Sequence, residues 1–160
     1  MRTRDLTPYS VRQASSHADI AHARELFQEY AAWLAIDLCF QNFDQELATL
    51  PGKYAPPCGR LFLAGDPPVG CVALRPLEDD GIGEVKRLYV RDAARGTGLG
   101  RALVEAVLTH ARGIGYRELR LDTADWMRDA IRVYERLGFR QCSPYYHNPM
   151  PGAVYMSLVL

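Results

Sequence analysis

Gly83-Glu84-Val85-Lys86-Arg87-Leu88-Tyr89-Val90, then Arg91-Asp92-Ala93-Ala94, then Arg95-Gly96-Thr97-Gly98-Leu99-Gly100: this stretch carries a β-prone run into a glycine-rich turn. The turn opens straight into a helix, because Leu99, Ala102, Leu103, Ala106, Val107 and Ala111 recur at three and four before Gly113 and Gly115 end the pattern. Glycines at 96, 98 and 100 let the backbone adopt positive φ and approach a ligand closely. The N–H groups they expose lie at the positive end of a helix dipole, which favours phosphate. Arg95 and Arg101 extend cationic reach on either side. Two nucleotide signatures are excluded: no G-x-x-x-x-G-K-[ST] is present, and a G-x-G-x-x-G read from Gly96 meets Arg101 where its third glycine belongs. Taken alone, the turn leaves two readings, a phosphate cradle or a helix entry with no ligand.

Outward from this stretch the chain alternates in kind. Upstream, Leu61 to Ala64, Gly70 to Pro76 and Gly83 to Val90 are β-prone runs divided by Gly65-Asp66-Pro67-Pro68 and Asp79-Asp80-Gly81, so three antiparallel strands are expected. A strand over Tyr9 to Gln13 precedes a long helix with its N-cap at Ser15-Ser16-His17 and apolar positions Ile20, Ala23, Leu26, Phe27, Tyr30, Ala31 and Leu34. A shorter helical piece covers Phe43 to Leu50, and Phe40 and Phe43 read as core or pocket wall. Downstream, Leu119 to Leu121 is a short strand, and the order strand, glycine turn, helix, strand makes a parallel crossover. A last helix carries Met127, Ala130, Ile131, Tyr134 and Leu137 on one face before Gly138, and Ala153 to Leu160 is β-prone again. The fold class is α/β with a mixed sheet: antiparallel strands first, a parallel crossover later, helices on both faces. Residues 1–160 read as a single domain.

Composition narrows the partners. With 160 residues, 48% hydrophobic, the chain is long enough to bury a core without disulfide or metal staples. Nineteen Lys+Arg balance nineteen Asp+Glu, which argues against nucleic acid and anionic membranes as partners, since both demand a basic excess. Affinity for anions must then be local. Cys39, Cys58, Cys71 and Cys142 form no C-x-x-C pair and have no histidine at zinc-ligand spacing, so a reduced chain without metal is expected. The N-terminal MRTRDLTPYS lacks an apolar signal core and no run approaches ~18 apolar residues, which points to a cytoplasmic protein.

The motifs together resemble the GNAT superfamily of N-acetyltransferases. Arg95, Gly98 and Gly100 match that family's pattern of Arg or Gln, two residues, Gly, one residue, then Gly or Ala. Tyr134, Gly138 and Phe139 match a second, in which a helical Tyr stands four residues before Gly-Phe. The resemblance covers Gly83 to Arg140 and implies acetyl-CoA as co-substrate, its pyrophosphate held at Arg95, Gly96, Thr97, Gly98, Leu99, Gly100 and Arg101. It implies a pantetheine arm between two splayed parallel strands, and backbone N–H groups of Leu88, Tyr89 and Val90 meeting the thioester oxygen. Where many members carry an Asn early in the third helix, this chain has Trp126-Met127, so Thr123 is the candidate for that contact. The acceptor implied is a primary amine of a small molecule or peptide, and the oligomer a monomer or a homodimer. A non-catalytic acyl-CoA-binding or sensing module is the alternative function.

Acetyl transfer to an amine requires a base for the ammonium and a proton for the departing thiolate. Glu84, on the strand entering the glycine turn, is the candidate base, against a bland role as a charge facing Lys86 or Arg87. Tyr134 is the candidate proton donor, since a tyrosine packs its ring and still presents its hydroxyl. Arg75 and Arg87 are candidates for holding a carboxylate on the acceptor, and Tyr145 and Tyr146 for lining its pocket. A regular strand puts Arg87 and Glu84 on opposite faces, and only a bulge unites them.

Overall fold

The computed structural model describes residues 8–160, leaving most of the N-terminal stretch read above outside it. Seven strands form one sheet: β1 (Val11–Gln13), β2 (Arg60–Ala64), β3 (Gly70–Pro76), β4 (Ile82–Val90), β5 (Glu118–Ala124), β6 (Arg140–Gln141) and β7 (Ala153–Val159). Their spatial order is β1-β2-β3-β4-β5-β7-β6. Only β4 and β5 pair in parallel, as the crossover requires, and the remaining pairs are antiparallel. The mixed sheet and the early antiparallel run agree with the sequence reading.

Four helices cover the two faces: α1 (His17–Leu34), α2 (Phe43–Thr49), α3 (Leu99–Ile114) and α4 (Arg128–Arg136). Ser16 caps α1 by accepting from the Asp19 N–H, and Asp19 returns to the cap backbone in a capping box. Arg12 of β1 closes on Asp19 at 2.6 Å, and these contacts hold the Asp19 carboxyl down to about 2. Helix α3 ends where Gly115 turns left-handed at φ 105°.

Alternation along the central strands divides the core. Val72, Leu74, Val85, Leu119 and Leu121 meet Leu103, Val104 and Val107 of α3 together with Tyr134 and Phe139. Leu61, Leu63, Cys71 and Ala73 point the other way and meet Ala23, Leu26 and Phe27 of α1 with Phe43 and Tyr54. Each such buried side chain contributes roughly 1.5–3 kcal/mol relative to exposure. The apolar face of α4 is Ala130, Val133, Tyr134 and Leu137, not the expected set with Ile131. Strand β5 runs on to Ala124, past the expected Leu121, because β7 supports it along its whole length. The edge strand β6 is not legible in the sequence: two exposed residues carry no alternation. Phe43 is buried as core, and the side chain of Phe40 lies outside the described residues. All four cysteines are free. No helix among the described residues is long and apolar enough to cross a membrane.

Candidate active site

The site begins where the parallel pair stops. Strands β4 and β5 are in register only from Ile82↔Glu118 to Glu84↔Arg120. Beyond Glu84 the two strands separate, and the β4 edge that faced β5 has no strand beside it. A cleft opens in the gap, lined by Val85, Leu88, Thr123, Met127 and Tyr134 among others. Past the C-terminal end of β4, Gly96 and Gly98 take left-handed φ of 75° and 79°, and Gly98 starts α3 without a side-chain cap. The N–H groups of Gly96 to Gly100 donate to no described residue. A Cβ built on Gly96 or Gly100 would meet no atom within 4 Å, so the turn is open on its outside. Five consecutive free donors at a helix N-terminus fit a phosphate-bearing ligand. Arg95 flanks them, paired with Asp92 at 2.7 Å, and Arg101 pairs with Glu105 at 2.8 Å.

The separation has a local cause. Cys71 opposes Tyr89 but Ala73 opposes Lys86, so Arg87 and Leu88 together face Val72 in a β-bulge. Arg87 sits at φ 60°, a left-handed conformation that costs a non-glycine residue on the order of 1–3 kcal/mol. Its guanidinium offsets that cost through a two-armed pair with Glu46 of α2, at 2.8 and 3.1 Å, and a bond to Gln41 at 2.8 Å. The bulge reverses the alternation of β4, so Arg87 joins Glu84 and Lys86 on the face covered by α1 and α2.

On that face a continuous polar network fills the sheet. Glu84 is 1% exposed: one oxygen accepts from Arg75 Nε at 2.9 Å and the other from the Tyr145 hydroxyl at 2.5 Å. Lys86 Nζ lies 3.7 Å from Glu84 and 3.9 Å from Asp122. Burial pushes the Lys86 ammonium below its ordinary range against the pull of these two carboxylates. Asp122 of β5 accepts from the Tyr146 hydroxyl and from Asn148 Nδ2, the latter at 2.7 Å. Gln41 donates to Tyr146 at 3.0 Å and so joins the Asp122 cluster to Arg87. Burial, and then the two carboxylates, raise the phenols of Tyr145 and Tyr146 far above their usual range, which keeps both as hydrogen-bond donors. No buried side-chain nitrogen or oxygen among the described residues lacks a partner.

Tyr134 stands on the opposite wall of the cleft. Its ring is core, edge-on to Phe139 at 5.6 Å, and burial pushes its hydroxyl well above the usual tyrosine range. That hydroxyl makes no hydrogen bond to a described residue, yet is not a buried orphan. It therefore reaches the cleft, as a core aromatic with a functional oxygen would. Thr123 lines the same cleft but spends its hydroxyl on Met127 Sδ at 3.4 Å.

The structure thus brings Arg87, Leu88, Thr123 and Tyr134 to one cleft, with the glycine turn following the strand that lines it, and gathers Glu84, Arg75, Tyr145 and Tyr146 in the network whose Lys86, Arg87 and Asp122 also line that cleft. Tyr89 turns its ring to α1, against Tyr30 and Trp33. Arg75 is already paired with Glu84. Arg87 has both arms of its fork engaged, so a carboxylate anchor would rest on Arg75, whose side chain is 30% exposed. Asp122, Gln41 and Glu46 were missed, whereas Lys86 does face Glu84, as the alternative reading of Glu84 held. Asp122 alone had a signal, as an acidic residue inside an apolar strand pattern. Among the described residues no cluster of His, Cys, Asp or Glu is placed to hold a metal.

Comparison with known proteins agrees with this geometry. The sequence pattern of the Acetyltransferase (GNAT) family matches residues 20–139. An uncharacterized N-acetyltransferase of Schizosaccharomyces pombe is 43% identical over 143 residues, 88% of each chain. A Klebsiella pneumoniae structure described as an acyl-CoA N-acyltransferase is 27% identical, with a TM-score of 0.74 over 97% of this chain and 99% of that one. A Salmonella typhimurium structure, described as an acetyltransferase with acetyl-CoA as its cofactor, shares the fold at a TM-score of 0.68 and 20% identity, over 95% of this chain and 94% of the other. With a glycine turn of free amides, a split parallel pair and a family match over three quarters of its length, the chain belongs to the GNAT family of acetyltransferases.

Proposed function

We propose that the protein is an acetyl-CoA-dependent N-acetyltransferase acting on a primary amine of a small molecule or peptide. The observation that carries this reading is the run of amides from Gly96 to Gly100 that meet no described partner, past the end of the strand lining a cleft into which Tyr134 presents a free hydroxyl. When bound, acetyl-CoA supplies an activated acyl carbon and a thiolate leaving group. The chain's own residues do the rest. The turn amides and Arg95 hold phosphate, and the unpaired edge of β4 at Leu88 to Val90 offers backbone N–H groups to an arm lying along it. Tyr134 gives its proton on the thiolate side of the cleft. Its raised pKa keeps it protonated throughout the neutral range.

On the acceptor side Glu84 acts through Tyr145. Glu84 is closed off from solvent, while Tyr145 is half-buried and hydrogen-bonded to it. An amine at the Tyr145 oxygen passes a proton to that oxygen as the tyrosine's own proton moves to Glu84, so the carboxylate serves as base without touching the acceptor. Arg75 shares Glu84 with Tyr145 and is partly exposed, so it is the residue suited to a carboxylate beside the amine. Thiol release from acetyl-CoA over a panel of amines tests the assignment: acceptor-dependent thiol supports it. Tight CoA binding with no acceptor-dependent thiol would instead identify the non-catalytic acyl-CoA-binding module, which the closed state of Glu84 favours.

A further inference from the structure

Trp33 and Trp126 are the chain's only tryptophans. Both are exposed, at 40% and 47%, although each has the ring area to bury well. They are 93 residues apart in sequence, yet their rings meet with centroids at 5.3 Å and planes at 55°. Trp33 comes from the last turn of α1, and Trp126 from the turn between β5 and α4. On its other side Trp33 carries the Arg95 guanidinium 4.9 Å from its ring centre, and Tyr89 at 6.4 Å. Arg95 is itself fixed to the Val90 carbonyl at 3.0 Å and to Asp92. One lip of the split is thus β4 and the glycine turn, represented by Tyr89 and Arg95. The other is the end of β5, represented by Trp126. Trp33 touches both, and it is flanked on α1 by Tyr30 and Leu34, which line the cleft below.

Building on the acetyl-CoA reading, we propose that Trp33 and Trp126 form an aromatic clasp that roofs the pantetheine channel between β4 and β5. On this proposal an arm running from the glycine turn toward Tyr134 passes beneath this contact. The clasp parts to admit the arm and closes on its apolar flank, so that it slows release. Its weight rests on geometry: an aromatic contact bridging two strand ends that no hydrogen bonds join.

Excited at the long-wavelength edge, where the nine tyrosines do not absorb, the emission comes from these two rings alone. The full chain is titrated with CoA while heat and tryptophan emission are read together, then with 3′-phosphoadenosine 5′-diphosphate, which has the phosphates and the base but no pantetheine arm. The expected result is an emission change with CoA whose midpoint equals the calorimetric Kd, and none with the nucleotide at concentrations where it binds. W33A and W126A, checked by their melting temperature, should each release CoA about tenfold faster and bind it correspondingly less tightly. Calorimetric binding of CoA with unchanged emission, or wild-type release rates in both variants, overturns the clasp while leaving acetyl-CoA binding intact. An equal emission change with the nucleotide also overturns it, placing the base and not the arm against the rings. An emission change that follows protein concentration instead of CoA assigns the rings to a contact between copies, and overturns it too. No heat with CoA overturns the cofactor reading and the clasp with it.

Discussion

Past the C-terminal end of β4 the turn from Gly96 to Gly100 leaves its amides without partners among the described residues, whereas around Glu84 at the other end every buried polar side chain is engaged. The first region is built from backbone alone and waits for a ligand of one chemistry, an anion. The second is built from side chains of six separate segments, with Arg75, Lys86 and Arg87 set against Glu46, Glu84 and Asp122. A site that is already satisfied binds by exchange, since any acceptor must replace a contact as good as its own. Under the proposed function the open end would supply affinity and the closed end selection. The experiments that follow press on one end and spare the other.

The largest effect is expected at the open end. Gly98→Val puts a branched Cβ into the turn and should weaken acetyl-CoA binding by roughly a hundredfold or more, through lost charge-assisted bonds. Because Gly98 sits at φ 79°, the same change should cost about 1–2 kcal/mol of fold stability. Calorimetry on the folded variant separates the two, and wild-type affinity there would break the assignment of the turn. Next is Tyr134→Phe, which keeps the ring against Phe139 and removes the free hydroxyl. It should lower kcat by about a hundredfold with little change in CoA affinity. An unchanged kcat where chemistry limits turnover would return Tyr134 to the core alone.

A smaller effect is expected at the closed end. Tyr145→Phe removes the relay to Glu84 while leaving its pairing with Arg75 and Lys86. We expect kcat to fall about tenfold at neutral pH and to recover as pH rises toward the acceptor's own pKa, because a free amine needs no base. A pH-independent loss would sharpen the comparison differently, making Tyr145 a wall and not a relay. The smallest effect on activity belongs to a position outside both regions. Asp19 has its carboxyl held down to about 2 from an ordinary 3.8, first by the Ser15 N–H and then by Arg12. A depressed carboxyl stabilises the fold above its unfolded value, and that contribution is lost as pH falls from 3.8 through about 2. Asp19→Ala should therefore cost about 1–2 kcal/mol near neutrality, less as the pH falls, with turnover of the folded enzyme unchanged. Chemical denaturation at two pH values measures it.

How legible the two regions were follows from how they are built. The glycine turn and most of the α3 face are local, since neighbours within a few residues decide them, and were readable, although α3 also buries Val104 and Leu108 in place of the expected Ala102. The Tyr134-Gly138-Phe139 spacing was readable for the same reason. The network around Glu84 was not, because its bonds join residues 61 apart at Tyr145, 41 apart at Glu46 and 24 apart between Asp122 and Tyr146. No pattern of neighbours predicts such a pairing.

The sequence by itself determined the mixed α/β class, the place where a phosphate would sit and the two motifs that name the family. Those depend on backbone freedom at glycine and on hydrophobic period, which a chain carries in one dimension. Only the tertiary structure decided which face Arg87 occupies, since a regular strand would have turned it toward α3. The bulge that redirects it is stabilised by Glu46 and Gln41, on segments more than forty residues earlier. The same holds for Trp33 against Trp126: two exposed rings with no sequence relation, one on α1 and one after β5, meet only in the folded chain.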